Sequence, residues 1–476
     1  MRLCFFPRVQ LCRGFPPFRS VCSLLSVSEG PTRQVVRMPM LAMIFIFVSS
    51  LSEAAASIPT TCQVAIAGGG LGGLAACAAL RQRGIDAQVF EAAPALLRGS
   101  TGTGIMISAN GFSALESIDA SLPDKMREIG ARIVRQNIHV CRQDGKQLKE
   151  LSLDSTVNFD RFGADQYNVA WARAHEVLAA TVPEEYVHCD CKLESFTVSG
   201  ETVDIEFAGG HSVRASLLVG ADGAGSAVRR MVAGEAACLT KYNGQLLWNA
   251  ILPTARVRAH ADGEVEYYTC GADGQVILAF DAGEGQTSWY LTILEEHAPP
   301  ATKALLAEAA AEGTVFGGFG RHGVKDELKQ AFAAWPVAVE LLEATPEAQI
   351  FERRLCDRKK LMRWQDKSKR VVLMGDAAHP MVPSQGQGTM VTWEDAAELA
   401  ECLVARAGAG PKGPTSLDVP AAVDTFVARR AKRCAMVQKF SRQAYMGRPS
   451  PTFYPLKMVS LTRSFRKISK IFGYKS

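Results

Sequence analysis

Three glycines near residue 70 have the spacing of a phosphate-binding turn. Gly68, Gly70 and Gly73 follow a short apolar run and begin a run of small residues in VAIAGGGLGGLAACAALRQRG. The first glycine permits a tight turn, the second lets a pyrophosphate approach the backbone, and the third lets a helix pack closely on the strand. Backbone amides at the start of that helix can hold the phosphate charge. The segment therefore predicts a strand, a turn and a helix that bind a dinucleotide.

A carboxylate follows at the place where such a unit binds a ribose. The segment AQVFEA predicts a second strand, and Glu91 stands at its end. From there its side chain can accept hydrogen bonds from both ribose hydroxyl groups. An acidic residue at this place suits a ribose without a phosphate, which favours FAD or NAD over NADP. The complete unit is far more specific than the glycine spacing alone.

A second turn follows an apolar strand in LLVGADGAGSAVRR, residues 217–230. It holds Asp222 and Gly223, and Arg229 follows a few residues later. An Asp-Gly pair after a strand is common in turns of many kinds. This segment therefore gains weight only in combination with the other turns.

A third turn ends the buried strand of RVVLMGDAAH at Gly375 and Asp376. The Asp376 carboxylate could hydrogen-bond a ribityl hydroxyl, and His379 beside it is expected to cap or to pack. Amides at the start of the following helix, from about Met390, could face the pyrimidine end of a flavin ring and stabilise negative charge there. The connecting loop holds Pro383, Gly386 and Gly388. We expect the early turn to bind the ADP half of FAD and the late turn its ribityl and isoalloxazine half.

Three motifs carry a resemblance to a known family. GGGLGG, GADGAGSAVR and GDAAHPMVPSQGQG resemble, in order and separation, those of class A flavoprotein monooxygenases, aromatic hydroxylases that include salicylate hydroxylase, urate hydroxylase and zeaxanthin epoxidase. The resemblance runs from about residue 61 to about residue 447, and RGSTGTGIMISANGFSALESIDASL is most similar to zeaxanthin epoxidases. It implies an α/β fold in which a Rossmann-type, glutathione-reductase-like FAD-binding domain is interleaved with a β-sheet substrate domain. Thr389, Met390 and Trp393 depart from the family pattern.

The resemblance also implies cofactors and a reaction. NAD(P)H would reduce FAD, O2 would add to give a flavin C4a-hydroperoxide, and one oxygen atom would pass to an aromatic or isoprenoid substrate by hydroxylation or epoxidation. In the family, the middle motif contacts both FAD and the nicotinamide cofactor. Arg98 and Arg173 match family arginines and are predicted to bind the cofactor. No catalytic side chain is assigned, and no metal site is expected, because the eight histidines include no H-x-x-x-H pair.

Two other functions remain open on the sequence alone. An FAD oxidoreductase that uses no O2, such as a prenyl reductase, would share the first turn but is not expected to share the later ones. A non-catalytic flavin-binding protein is the second alternative, and consumption of NAD(P)H under air would distinguish it from an enzyme.

The order of the motifs divides the chain into five predicted segments. They are residues 1–60 as a targeting segment, 61–235 as the first part of the FAD-binding domain, 236–345 as a β-rich substrate domain, 346–410 as the second part of the FAD-binding domain, and 411–476 as a C-terminal helical region with a basic tail. Aromatic residues in the substrate segment alternate with other apolar residues, so some must face a cavity, but the pattern does not indicate which. They are Trp248, Tyr267, Phe280 and Trp289.

Charge is distributed unevenly along the 476 residues. The first 60 residues hold six Arg and two Glu, and the last 52 hold thirteen Lys or Arg and no acid. The segment between them therefore holds 34 basic and 46 acidic residues. An acidic body argues against nucleic acid as the main partner.

Sequence patterns at both ends of the chain indicate where in the cell the protein is located. Residues 1–37 are rich in Arg, as transit peptides are, and the apolar run MPMLAMIFIFV is too short to span a bilayer of ~30 Å. An organelle address is expected, with a plastid favoured; a secretory signal peptide from Met38 or Met40 and a single-pass anchor are the alternatives. The tail LTRSFRKISKIFGYKS predicts a basic amphipathic helix that either contacts an anionic membrane or packs on the acidic body.

Overall fold

The computed structural model describes residues 58–96, 103–270, 274–312, 316–408 and 416–446. Arg98 and the basic tail lie outside the described residues, as does nearly all of the predicted targeting segment. In chain order the strands are β1 (Thr61–Ala67), β2 (Ala87–Phe90), β3 (Gly104–Ile107), β4 (Ala131–Arg132), β5 (Arg135–Cys141), β6 (Gln147–Asp154), β7 (Tyr167–Ala170), β8 (Val187–His188), β9 (Leu193–Ser199), β10 (Thr202–Phe207), β11 (Ser212–Gly220), β12 (Lys241–Pro253), β13 (Glu264–Cys270), β14 (Gln275–Asp281), β15 (Gln286–Leu294), β16 (Gly317–Phe319), β17 (Phe351–Asp357), β18 (Val371–Leu373), β19 (Ala407–Gly408) and β20 (Ser416–Leu417).

The helices cover both sheets and connect their strands. In chain order they are α1 (Leu71–Gln82), α2 (Ala109–Ile118), α3 (Leu122–Ile129), α4 (Val157–Phe162), α5 (Trp171–Ala179), α6 (Ala227–Ala233), α7 (Pro300–Glu312), α8 (Val324–Ala331), α9 (Pro336–Ala344), α10 (Gly388–Val404) and α11 (Val419–Met446). Within the described ranges, no helix is both long enough and apolar enough to cross a membrane.

The first sheet has the order β8-β2-β1-β11-β10-β9, and β18 also pairs with β11. Strands β2, β1, β11 and β18 are parallel, while β10 and β9 continue the sheet in antiparallel pairs. The central strands are continuous apolar runs because helices cover both faces of a parallel sheet. In β1, for example, the residues from Val64 to Ile66 are 0% exposed.

The second sheet has eight strands in the order β16-β17-β12-β15-β14-β13-β5-β6. The predicted substrate segment, 236–345, contains β12 to β16, whereas β5 and β6 come from earlier in the chain and β17 comes from later. One face of the sheet packs on α7, α8 and α9 through a core that includes Trp248 and Trp289. The two sheets are therefore interleaved in sequence. Two small sheets, β3-β7-β4 and β19-β20, complete the described fold.

Helix α10 is buried over most of its surface. It packs against α1, α2 and α11 and contacts the turn after β18. This helix begins at the end of the third motif, so its position fixes the loop that the sequence assigns to a flavin ring.

Candidate active site

The turns that the sequence singled out meet at one edge of the first sheet. Since β2, β1, β11 and β18 are parallel, the residues that follow them lie together at the carboxyl ends of the strands. Glu91 follows β2, Gly68 follows β1, Asp222 lies just after β11 and Gly375 just after β18. Open α/β sheets bind ligands in the crevice outside this edge. This edge is therefore the candidate site.

The first turn leaves room beside one glycine and little beside the others. At Gly68, φ is +106° and an added Cβ would come 2.6 Å from the carbonyl oxygen of Ala221. An added Cβ on Gly73 would overlap the Gly68 carbonyl oxygen, whereas nothing lies within 4 Å of one on Gly70. Gly70 caps α1 without a side-chain hydrogen bond, and the first turn of the helix holds no acidic residue. Open space beside unsatisfied helix amides fits a pyrophosphate.

Glu91 is held against the same turn. Its Oε2 accepts a hydrogen bond from the amide of Gly69 at 2.7 Å, and its Oε1 accepts one from the amide of Ala93 at 2.9 Å. Glu91 is 9% exposed. Two backbone donors thus fix the carboxylate beside the Gly70 turn, a position that fits the predicted contact with a ribose.

Helix α5 reaches this turn through a residue that the sequence reasoning missed. His175 is buried, and its Nε2 donates to the carbonyl oxygen of Gly69 at 2.7 Å while its ring stacks on Trp171. Arg173, the predicted cofactor ligand on this helix, donates to the carboxylate of Glu284 at 2.6 and 2.9 Å and also pairs with Glu176. Hydrogen bonding to Glu284 raises the pKa of Arg173. No pattern in the sequence around residue 175 distinguishes His175 as a partner of the glycine turn.

Asp222 has one carboxylate oxygen engaged and one available. Its Oδ2 accepts hydrogen bonds from the amides of Ala227 at 2.7 Å and Val228 at 3.2 Å, which caps α6. Its Oδ1 is buried and has no hydrogen-bond partner among the described residues. Burial raises the pKa of this carboxyl group. A Cβ placed on Gly223, the next residue, would meet no atom within 4 Å, so the main chain after Asp222 borders open space.

Arg229 joins the second motif to the third. The residue is 1% exposed, and its Nη1 donates to the carbonyl oxygens of Ala377 at 2.9 Å and Ala378 at 3.2 Å, while its Nε donates to Ala237 at 2.9 Å. Its observed contacts are therefore with the backbone of the Gly375 turn. They place Arg229 as a residue that positions the third motif.

The third turn presents a carboxylate and an uncapped helix. Asp376 is exposed, yet enough protein surrounds its carboxylate that burial raises its pKa, an effect that the charge of His379 opposes. Helix α10 then begins without a side-chain cap or an acidic residue in its first turn. In the loop, φ is +60° at Gly386, and a Cβ on Gly388 would meet no atom nearer than 4.0 Å.

Behind this turn lies a buried ion pair. His379 Nε2 donates to Asp395 Oδ2 at 2.5 Å, the amide of Gly375 donates to the same oxygen at 3.0 Å, and Arg430 Nε donates to Asp395 Oδ1 at 2.7 Å. Burial alone would raise the pKa of Asp395, but the charges of His379 and Arg430 outweigh it and lower the pKa to about 2. Burial would lower the pKa of His379, but Cys434 and Asp395 raise it well above its ordinary value. Both Asp395 oxygens are engaged, so we infer no metal site there.

A second buried carboxylate extends these contacts. Glu394, 0% exposed, pairs with Arg430 at 2.8 Å and with Arg433, and its Oε1 accepts from Asn110 Nδ2 at 2.7 Å. Sequence reasoning missed these partners, although WEDAAELAE and ARRAKR offer opposite charges on two helices. The α10–α11 ion network is defined as His379, Glu394, Asp395, Arg430 and Arg433.

The second sheet shows which of the four predicted aromatic residues face the site. Trp248 and Trp289 are fully buried on the helix-covered face. On the opposite face, Tyr290 packs with Leu247 and Val382. Phe280 stacks on Tyr290 at 6.0 Å, and strand alternation places Tyr267 on this face too. We call this surface the loop-facing sheet face, because Val382 belongs to the loop of the third motif.

The departures from the family pattern have a packing explanation at one position. Met390 is 0% exposed, and an added Cβ on Gly111 of α2 would overlap its sulfur atom. Gly111 therefore makes the space that Met390 fills. Trp393 is also 0% exposed, and its Nε1 has no hydrogen-bond partner in the described part of the chain. Nothing in the structure explains why a tryptophan stands at position 393.

Comparison with known proteins agrees with the prediction from the three motifs. A family model described as FAD binding domain matches residues 61–419. The chain is 30% identical over 375 residues to aurachin C monooxygenase/isomerase of Stigmatella aurantiaca, and the aligned region covers 78% of this chain and 85% of that protein. It is 30% identical over 387 residues to 6-hydroxynicotinate 3-monooxygenase of Pseudomonas fluorescens, covering 80% and 90%. It is 27% identical to a chloroplastic zeaxanthin epoxidase of an Oncidium hybrid cultivar, covering 80% of this chain and 54% of that enzyme.

Solved structures share the fold. The chain aligns with Klebsiella pneumoniae HpxO complexed with FAD and uric acid with a TM-score of 0.67 and 21% identity, covering 86% of this chain and 92% of that chain. It aligns with 2,6-dihydroxypyridine-3-hydroxylase from Arthrobacter nicotinovorans with a TM-score of 0.63 and 19% identity, covering 82% and 94%. These likenesses confirm the predicted fold class.

Proposed function

This chain belongs to the FAD-dependent monooxygenases of the aromatic-hydroxylase type, and from that premise we propose that it uses NAD(P)H and O2 to oxygenate an aromatic or polyene substrate. One oxygen atom enters the substrate by hydroxylation or epoxidation. The other leaves as water, with the two electrons that NAD(P)H supplies. FAD, when bound, supplies the chemistry that activates O2.

The observation that carries the proposal is the shared edge of the first sheet. Two helices, α1 and α10, start there without side-chain caps, and each can stabilise negative charge on one part of a long ligand. In the proposal, the Gly70 turn holds the pyrophosphate and Glu91 the ribose. Asp376 and the free oxygen of Asp222 accept hydrogen bonds from hydroxyl or N–H groups of the ribityl and flavin half.

The loop-facing sheet face completes the site on the substrate side. Leu247, Leu355, Tyr290 and Val382 form one apolar cluster between the second sheet and the loop of the third motif. In the proposal this cluster excludes water from the reacting centre, which prevents loss of the activated oxygen before transfer. Aromatic side chains beside it offer surfaces for a planar substrate.

Oxygen labelling of product tests the proposal. The purified full chain is expected to carry flavin, to oxidise NADH or NADPH faster with its substrate, and to place one atom of isotopically labelled O2 in the product. Aromatic acids and carotenoids form the substrate panel. Product without label would indicate an oxidoreductase that uses no O2, and flavin without NAD(P)H consumption would indicate a non-catalytic flavin-binding protein.

The Asp376→Ala variant tests the site itself. Loss of its hydrogen bond is expected to lower flavin content or slow flavin reduction by NAD(P)H. Glu308→Ala, on the exposed surface of α7, serves as the matched control. Normal flavin content together with normal reduction in Asp376→Ala would remove this carboxylate from the proposed site.

The location of the protein is part of the proposal. Chloroplastic zeaxanthin epoxidases are among the relatives, which supports the plastid address proposed for residues 1–60. A fluorescent fusion of that segment, observed in plant cells beside a plastid marker, tests it. Fluorescence in the secretory pathway would favour the signal-peptide alternative.

A further inference from the structure

One arginine on the loop-facing sheet face lacks the partners that such a side chain normally has. Arg353 lies on β17 opposite Leu247 of β12, so the two side chains share a face. Leu355, two residues further along β17, packs in the same cluster as Leu247. Arg353 is partly exposed, and its Nε is buried without a hydrogen-bond partner among the described residues. Its guanidinium carbon lies 5.8 Å from the ring centroid of Phe351.

The charge of Arg353 acts across the cleft between the second sheet and the third motif. Burial raises the pKa of Tyr290, and the positive charge of Arg353 opposes that rise. Burial likewise raises the pKa of Asp376, and the charges of His379 and Arg353 oppose it. Within the described residues, Arg353 nevertheless forms no ion pair with Asp376 or with any other carboxylate. The charge of Arg353 therefore acts on groups of both the sheet and the Gly375 turn, and the described residues give it no direct counter-ion.

The neighbouring residues of β17 explain why Arg353 has no acidic partner. Glu352 points to the opposite face, where Trp248 and Arg321 donate to it at 3.0 and 2.8 Å. Arg354 is also on that face, and its Nε too is unpaired. However, its Nη2 donates to the carbonyl oxygen of Leu306, and it lies over the ring of Tyr242. Arg353 alone among these β17 residues directs a cation to the candidate site.

A buried guanidinium donor without an acceptor costs free energy, and an acceptor on a ligand would recover that cost. A carboxylate is one of the anionic groups that match the planar donor geometry of arginine. An uncharged polyene would cover Arg353 without offering an acceptor. The aromatic rings of Phe351, Phe280 and Tyr290 on the same sheet face could meanwhile contact a planar ring.

Resting on the proposed monooxygenase function, we propose that Arg353 binds a carboxylate of the substrate. The substrate is then an aromatic acid, since an uncharged isoprenoid offers this cation no acceptor. Arg353 is a specificity-determining residue in this view. It takes no part in holding FAD.

The test compares aromatic acids with their amides, which have the same ring and no charge. Binding to the FAD-loaded full chain is followed by the change in flavin absorbance, beginning with salicylate and salicylamide and extending to other acid–amide pairs. Arg353→Met removes the charge, and Arg353→Lys retains it without the planar donor geometry. Arg354→Lys, one residue away on the opposite face, is the matched control.

In the wild type, at least one acid is expected to bind tighter than its amide by about 10-fold or more, the scale of a hydrogen bond to a charged group. Arg353→Met is expected to abolish that preference while leaving the amide affinity and the flavin content unchanged. Arg353→Lys should retain part of the preference, and Arg354→Lys all of it.

Three results would overturn the inference. They are equal binding of acid and amide by the wild type in every pair, an unchanged preference in Arg353→Met, and loss of flavin from Arg353→Met. Incorporation of labelled oxygen into an uncharged polyene would also overturn it while leaving the monooxygenase function intact. A wild-type chain that holds no flavin would instead contradict the proposed function.

Discussion

Glu91 and Asp222 are carboxylates that follow β2 and β11, the two strands that flank β1, yet their surroundings differ. Both oxygens of Glu91 accept hydrogen bonds from backbone amides, at Gly69 and Ala93. Asp222 uses one oxygen to cap α6 and leaves the other without a partner in the described structure. A carboxylate oxygen has more than one lone pair, so Glu91 can hold the turn and still accept a ribose hydroxyl. Asp222 therefore retains a buried acceptor oxygen that no donor in the described part of the chain satisfies.

We predict that Glu91→Ala weakens FAD binding by about 10- to 150-fold, because hydrogen bonds to a charged group contribute ~1.5–3 kcal/mol. Glu91→Gln keeps one acceptor oxygen and is expected to fall between this variant and the wild type. Titration of the flavin-free protein with FAD, followed by flavin fluorescence, measures the effect. Glu308→Ala is the surface control. Wild-type affinity in Glu91→Ala would show that the ADP half of FAD binds elsewhere.

At the scale of elements, α2 and α10 approach closely because a glycine faces a methionine. Gly111 has no side chain, and the sulfur of Met390 occupies the space where its Cβ would lie. Met390 is an unusual residue for the family at this position, so the two residues form a matched pair. The start of α10 is fixed by this contact, and with it the amides predicted to face the flavin ring.

We predict that Gly111→Ala lowers the free energy of unfolding by ~1–3 kcal/mol through overpacking, despite the better helix propensity of alanine. Met390→Ala leaves a cavity and is expected to cost ~2–5 kcal/mol alone. In the double variant the added methyl group enters the vacated space, so the two losses should not add. Denaturant unfolding of the four proteins measures the coupling. Strictly additive losses would contradict the matched pair.

The α10–α11 ion network joins the third motif to the C-terminal helix. His379 belongs to the motif, Asp395 to α10 and Arg430 to α11, and all are nearly or fully buried. Removing one member of a buried pair leaves an uncompensated charge, which is far more costly than losing a surface ion pair. The stability of the loop of the third motif therefore depends on the network behind it.

We predict that His379→Gln costs ~3–5 kcal/mol near pH 5.5 and less at pH 9. The raised pKa of His379 gives stability that is complete below the unfolded value of about 6.5 and is lost as the pH rises through the folded pKa. The pKa of Asp395, lowered to about 2, gives stability that is complete above about pH 3.9 and is lost as the pH falls toward 2. The difference between wild type and variant should therefore be largest between about pH 4 and 6.5.

Denaturant unfolding at pH 5.5, 7 and 9 measures this difference. His211→Gln changes an exposed histidine and is the control, for which no pH-dependent difference is expected. A stability difference that grows from pH 5.5 to pH 9 would contradict a charged His379 in the folded protein.

At the scale of the whole molecule, the acidic body lies between two basic ends. The last 52 residues carry thirteen basic side chains and no acid. Each basic residue near an anionic membrane surface contributes ~1 kcal/mol of attraction. An acidic body would repel the same surface, so contact depends on the tail.

We predict that the full chain binds anionic vesicles at low salt and that replacing four tail cations by glutamine abolishes most of that binding. The cations are Arg463, Arg466, Lys467 and Lys470. Co-sedimentation with phosphatidylserine-containing vesicles measures binding, and phosphatidylcholine vesicles are the control. Equal binding by both proteins, or none by either, would favour the alternative in which the tail packs on the acidic body.

The sequence by itself determined the features that depend on neighbours along the chain. The turn at Gly68 to Gly73, the strand ending at Glu91 and the loop after Gly375 are local, because each needs only a strand, a few glycines and a helix start. Their order predicted the fold class and the family, and both are confirmed. Parallel pairing then brings the turns to one edge, since successive motifs all follow strands of the same sheet.

Only the tertiary structure decided which side chains meet across long separations. Alternation along β12, β14 and β17 gives two faces to each strand, but packing on α7 to α9 decides which face is covered. That choice buries Trp248 and Trp289 and leaves Arg353 directed to the site. Likewise, Asp395 meets its ion-pair partner Arg430 only because another helix packs against α10. A local pattern fixes where a residue sits on its element, whereas its partner depends on how distant elements pack.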